Sequence, residues 1–150
     1  CSPNWKVTGY YTPVETDYQG TKQTIDVADS GSQNFDSKFI KDVRMEGWGK
    51  TRHGWYLGFY GQRWHKSEHP KDAYGRDLIV GVAAADPKRL STGKQFYIKS
   101  EKQFFKEQYF VVRDVGQKIK NKHIDIYTGE GTQAKYETWN VTGHNTICML

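Results

Sequence analysis

Two aspartates, Asp114 and Asp125, are the side chains of this chain best placed to do chemistry. A pair of carboxyl groups facing one cleft can act as acid and base, one protonated and the other ionised. Asp114 closes the apolar run Phe110-Val111-Val112, and Asp125 stands between Ile124 and Ile126, ahead of Tyr127. Side chains alternate across a strand, so isoleucines turned toward a core leave Asp125 on the opposite face, toward a cleft. The polar segment between the two runs, with Gly116, Lys118, Lys120 and Asn121, can fold back and bring the carboxylates together. On the residues alone a plainer account is the better supported: aspartates at turns cap them or pair with nearby lysines.

The elements that would hold these residues read mostly as strands. Trp5 to Val14 is a β-branched and aromatic strand ending near Pro13, with Thr8, Tyr10 and Thr12 on one face; Tyr10 and Thr12 are therefore candidates for a cleft wall. Residues 15–37 are rich in Asp, Ser, Gly, Gln and Thr and read as a surface loop with a short strand at Thr24 to Val27. Phe39 to Glu46 reads as a strand, and residues 43–60 as a hairpin turning near His53-Gly54. The run Leu78 to Ala85 reads as one fully buried strand stopped by Asp86-Pro87, where Asp86 either faces the same cleft or caps the next turn. Strands follow at Gln95 to Ile98 and Gln108 to Val112, then a helix at Gly131 to Trp139 and a last strand at Asn145 to Leu150. His65 and His69 have the spacing of a helical metal site but lack the neighbouring Glu and a third ligand, so no metal and no cofactor is expected. The pattern as a whole is that of a compact β-rich barrel or sandwich.

Length allows one domain with a real core. Apolar residues are only 36% of the chain while aromatics reach 15%, so large rings must do much of the burying and some are left for a surface that can stack on flat apolar faces such as those of sugars. The formal net charge of +5 favours acidic partners; the basic residues are scattered and no nucleic-acid motif is present, and an anionic polysaccharide or cell-wall polymer would satisfy the same charge. The two cysteines, Cys1 and Cys148, admit a disulfide or a lipidated Cys1, the only route by which a membrane would enter. The disulfide is the favoured reading, and either implies export to the periplasm, the cell envelope or the exterior.

The pattern Asp114-Val115-Gly116, Ile119-Lys120, Ile124-Asp125-Ile126-Tyr127 resembles the signature of the 3D domain, named for three aspartates, which is also the catalytic core of the MltA family of membrane-bound lytic transglycosylases. Asp86, in Val82-Ala83-Ala84-Ala85-Asp86-Pro87, corresponds to the third aspartate. Thr8-Gly9-Tyr10-Tyr11-Thr12-Pro13-Val14, Glu46-Gly47-Trp48-Gly49 and Gly58-Phe59-Tyr60-Gly61-Gln62 resemble MltA segments in the same order. Two family glycines and an alanine are replaced by Gln117, Asn121 and Lys118, and Asn121 is the replacement that tolerates a left-handed turn.

The resemblance implies a mostly-β fold, a six-stranded double-psi β-barrel with one or two short helices, as a single domain over 1–150 in which residues 61–77 are a reduced remnant of the family's inserted domain. It implies a peptidoglycan lytic transglycosylase acting on glycan strands, a monomer, with an inhibitor or immunity protein as a conceivable second partner. Asp125 would be the acid and base and Asp114 its near neighbour, with Tyr10, Thr12, Asp86 and Lys120 toward substrate. An inverting glycoside hydrolase and a non-catalytic wall-binding module are the alternatives on the same barrel.

Overall fold

A computed structural model describes all 150 residues. After β1 (Ser2–Thr12) the chain leaves for a second sheet, formed by β2 (Lys22–Val27), β3 (Gly31–Asp36), β4 (Trp48–Lys50), β5 (Tyr56–Tyr60) and β6 (Arg63–Ser67), with helix α1 (Ser37–Glu46) between β3 and β4. It returns as β7 (Val82–Ala85), β8 (Gln95–Lys99), β9 (Phe110–Asp114) and β10 (His123–Glu130), then helix α2 (Gly131–Val141) and β11 (Gly143–Met149). The first and last six-strand set closes a barrel in the order β1-β10-β7-β9-β8-β11, while the second sheet runs β3-β2-β6-β5-β4. Two barrel pairs are parallel, β1 with β10 and β7 with β9, which is consistent with a double-psi arrangement.

The barrel interior is filled by alternate residues of its strands, among them Val7, Ala83, Phe96, Phe110, Ile124, Ile126 and Ile147, all essentially without solvent contact. The second sheet has its own core, in which Phe39, Ile40 and Val43 of α1 pack against Ile25, Val27, Phe35 and Leu57. Cys1 and Cys148 are joined by a disulfide beside the pairing of Ser2 with Ile147. No helix is long and apolar enough to cross a membrane.

Three sequence expectations are corrected here. Residues 15–37 are not mainly loop: β2 and β3 form a full hairpin in register from Lys22↔Asp36 to Val27↔Gly31, so the polar side chains belong to a sheet with one wet face. The segment Phe39 to Glu46 is helix, not strand. Asp36 caps it, its Oδ1 accepting the Lys38 and Phe39 N–H groups, and Gly47, at φ 104°, ends it in a conformation that side chains resist. The run at Leu78 is strand only from Val82; Ile79 and Val80 are exposed, and Gly81 at φ 109° turns the chain into β7. The pair β4–β5 does form the hairpin expected around His53-Gly54, and His65 sits on strand β6.

Candidate active site

Four neighbouring strands build the site by register. Thr8 of β1 lies opposite Asp125 of β10, Asp125 lies opposite Ala84 of β7, and Ala84 lies opposite Asp114 of β9. A register shift between Ala83 and Ala84 lets Ala83 face Val112 and Ala84 face Asp114, so Arg113 is the extra residue of a bulge. Bulges re-aim a side chain, and this one brings Asp114 onto the face that Asp125 occupies. Ala84, small and buried, separates the two carboxylates. Ile124 and Ile126 point into the barrel core, and Asp125 lines a cleft of about 670 Å³ between the barrel and the second sheet, as the alternation implies.

Each carboxyl group has its own surroundings. Asp125 Oδ1 accepts the Thr8 hydroxyl proton at 2.8 Å, and Thr8 Oγ1 in turn lies 2.8 Å from His123 Nε2. One hydroxyl proton cannot serve both neighbours, so a Thr8 that donates to Asp125 accepts from the Nε2–H tautomer of His123. Burial lowers the His123 pKa, with the Lys6 charge adding to it and a hydrogen bond to the Lys118 backbone opposing, which favours a neutral ring. Burial pushes Asp125 up to about 6, the Asp114 charge adds to the shift, and the Thr8 hydrogen bond opposes it. Asp114 is raised by burial too, against hydrogen bonds from Tyr10 Oη to Oδ2 (2.7 Å) and from the Ala73 and Val115 N–H groups to Oδ1 (2.9 and 3.0 Å). Asp125 is thus held by one donor and Asp114 by three, a difference that makes Asp125 the freer of the two to give and take a proton.

The remaining candidates divide. Tyr10 stands on the cleft wall, its hydroxyl on Asp114. Thr12 does not: it is buried, 2.6 Å from the Tyr127 hydroxyl. Asp86 is a turn lock outside the cleft, with Oδ1 accepting Lys88 N–H and Oδ2 accepting Asn121 N–H; the Asn121 bond, followed by the Lys88 bond, holds its pKa below the ordinary value. Asn121 adopts φ 61°, the left-handed turn expected of it. Lys120 is exposed on that same loop beside Asp86 and does not line the cleft.

Two residues of the cleft were not picked out from the sequence. Thr8 was placed on the correct face without a role. Glu46, at the last turn of α1, lines the cleft and accepts Tyr11 N–H at 3.1 Å; burial pushes its carboxyl up to about 7, and the Asp125 charge contributes. Asp36 as cap, Phe39, Ile40 and Val43 at helical spacing and Gly47 as stop are the signals that would have turned this segment into a helix and Glu46 toward the barrel. Across from the aspartates, Trp48 and Tyr60, with ring centroids 6.0 Å apart, give the cleft an aromatic wall.

The Thr8 contact gives a test. Thr8→Val keeps the β-branched shape and removes the donor, so the ionised form of Asp125 loses support and its pKa should rise further. Activity that needs protonated Asp125 should then extend to higher pH, while the maximal rate falls by about tenfold as the carboxyl group loses its fixed orientation. A pH–rate profile of the variant unchanged from the parent's would remove Thr8 from the site.

Residues 81–150 match the family model of the 3D domain. The solved structures that resemble the chain include Escherichia coli MltA with bound chitohexaose, at 16% identity and a TM-score of 0.76 over 98% of this chain and 71% of that one. A membrane-bound lytic murein transglycosylase from Agrobacterium tumefaciens matches at 12% identity and a TM-score of 0.70, over 100% of this chain and 75% of that one. MltA from Neisseria gonorrhoeae matches at 12% identity and 0.63, over 96% and 71%. Among curated proteins none matches by sequence. Residues 81–150 thus resemble a 3D domain, and the chain as a whole has the fold of the MltA structures.

Proposed function

We propose that this protein is a peptidoglycan lytic transglycosylase that cleaves the β-1,4 bond between N-acetylmuramic acid and N-acetylglucosamine. The observation that carries the reading is the Asp125 carboxyl group, raised to about 6 on the wall of an aromatic-sided cleft, one small residue away from Asp114. A carboxyl group with that pKa is protonated often enough near neutral pH to act as an acid, and becomes a base once it has given its proton. Asp125 protonates the glycosidic oxygen as the bond from that oxygen to the muramyl anomeric carbon breaks. The muramyl O6 hydroxyl then attacks the anomeric carbon, and its proton passes to Asp125, which restores the starting state. The product is a 1,6-anhydro sugar and no water is consumed. Asp114, held by Tyr10 and two backbone N–H groups, supplies the neighbouring negative charge that resists loss of the Asp125 proton.

The resemblance to MltA with a bound sugar hexamer supports glycan strands as the ligand. A disulfide between Cys1 and Cys148 suits an oxidising compartment, so the protein acts in the periplasm, in the cell envelope or outside the cell, where its substrate lies. Mass spectrometry of a digested sacculus tests the reaction directly. Muropeptides lighter by one water than lysozyme products are expected. Products with reducing ends would assign a glycoside hydrolase, and a sacculus left intact would assign a binding module.

A further inference from the structure

We infer that the cleft continues into a separate sugar subsite between α1 and α2, with Trp139 as its stacking platform. The inference rests on the glycan-cutting reading of the cleft. A second hollow of about 300 Å³ adjoins the first, and Gly9, Met45 and Glu46 line both. That volume is at the lower end of ligand pockets, about 300–1,000 Å³, and suits an end of a groove rather than a whole site.

The sequence explains how the hollow is built. Gly9 lets α2 lie directly on β1: a Cβ there would come within 2.8 Å of the Thr138 Cα. Lys135, Thr138 and Trp139 of α2, with Thr142 at its C-cap, recur at the spacing of one helix face and line one side of the hollow, while Asp42, Met45 and Glu46 of α1 line the other. A helix face turned toward its own protein is ordinarily apolar; this one carries a cation and an indole, while the Thr138 and Thr142 hydroxyls donate to the Lys135 and Thr138 carbonyls. Trp139 is 62% exposed and Tyr136, with its ring 5.5 Å away, is 51% exposed. Lys135 Nζ lies 5.9 Å from the centre of the Trp139 ring. Glu46 spends one carboxylate oxygen on Tyr11 N–H and Asp42 spends one on the Tyr18 hydroxyl, which leaves each an oxygen for a ligand. A flat ring beside carboxylate acceptors matches a sugar, which has an apolar CH face and a rim of hydroxyl donors. The occupant is therefore a further sugar of the strand whose scissile bond lies at Asp125.

Calorimetric titration of the Asp125→Asn protein with the trimer and the hexamer of N-acetylglucosamine tests this without turnover. The hexamer should bind more tightly than the trimer. Adding Trp139→Ala should weaken the hexamer by about tenfold and leave the trimer unchanged. Trp139→Phe should keep most of the hexamer affinity, and Tyr109→Ala, which removes an equally exposed ring elsewhere on the barrel, should change neither. Hexamer affinity untouched by Trp139→Ala, or an equal loss for both oligomers, overturns the subsite while leaving the cleft reading in place. Binding of neither oligomer by the Asp125→Asn protein overturns the glycan reading and the subsite together.

Discussion

Replacing Asp125 by Asn is expected to lower the rate of peptidoglycan cleavage by about 10³–10⁴-fold, because in the proposed mechanism one residue carries both proton transfers and an amide can make neither. Asp114→Asn should behave differently. The Asn Oδ1 can still accept the Ala73 and Val115 N–H groups, and its amide can donate to the Tyr10 oxygen, so the local structure should persist. What is lost is a negative charge beside Asp125. Its pKa then falls by the part of the shift that the Asp114 charge contributes, while the larger part due to burial stays, and the alkaline limb of the pH–rate profile moves to lower pH. The loss should be partial at neutral pH and recover as the pH is lowered. An inverting mechanism gives each carboxylate its own proton to move, and equal, complete inactivation by both substitutions in folded protein would decide for it.

The same substitution should leave a mark on stability. Asp125 stays protonated in the folded protein up to about pH 6, whereas in the unfolded chain it ionises near pH 4. Folding therefore takes up a proton between those values, and stability is lost as the pH rises from about 4 to 6 and is not regained above. The full shift corresponds to about 3 kcal/mol, reduced to about 1–2 kcal/mol because the carboxyl group keeps contact with solvent in the cleft. Asp125→Asn should thus be the more stable protein at pH 7.5 by about that amount and match its parent below pH 4. Denaturant unfolding at the two pH values measures both arms, and an Asn variant less stable at pH 7.5 would contradict the raised pKa.

Local alternation made the aspartates legible and left their neighbours obscure. Asp125 could be placed from Ile124 and Ile126 alone, because β10 keeps its period of two through that stretch and both isoleucines are core. Asp114 could be seen only as the end of an apolar run; the bulge at Arg113 that turns it into the cleft depends on its pairing with β7, which is remote in sequence. The family signature carried Asp86 into the site, yet its two oxygens are both consumed by the loop that holds Asn121. Glu46 was hidden for another reason: Phe39, Ile40 and Val43 fit a short apolar strand nearly as well as one helix face, and the cap at Asp36 is what decides between them.

Opening the Cys1–Cys148 disulfide should give the largest loss of stability expected here from a single bond. The bond joins positions 147 residues apart, and chain-entropy arithmetic for a loop of that length gives about 5 kcal/mol at 25 °C as an upper value. The structure adds a local reason for the loss to be felt by the barrel. β1 is held by β10 on one side and β11 on the other, and the bridge sits where Ser2 meets Ile147, at the end of the β1–β11 seam. Without it that seam can fray from its end, and β1 carries the Thr8 that orients Asp125. For a chain of this size, about 5 kcal/mol corresponds to a fall in the thermal midpoint of about 10–20 °C. The paired substitution Cys1→Ser with Cys148→Ser should show that fall in calorimetry, and reductant should produce it in the parent but not in the variant. Cleavage at 25 °C should persist, since the Thr8↔Asp125 pairing lies in the middle of β1, away from the bridged end. A midpoint unchanged by reductant, in protein whose intact mass shows two newly blocked thiols, would place the stability of the barrel in its packing alone.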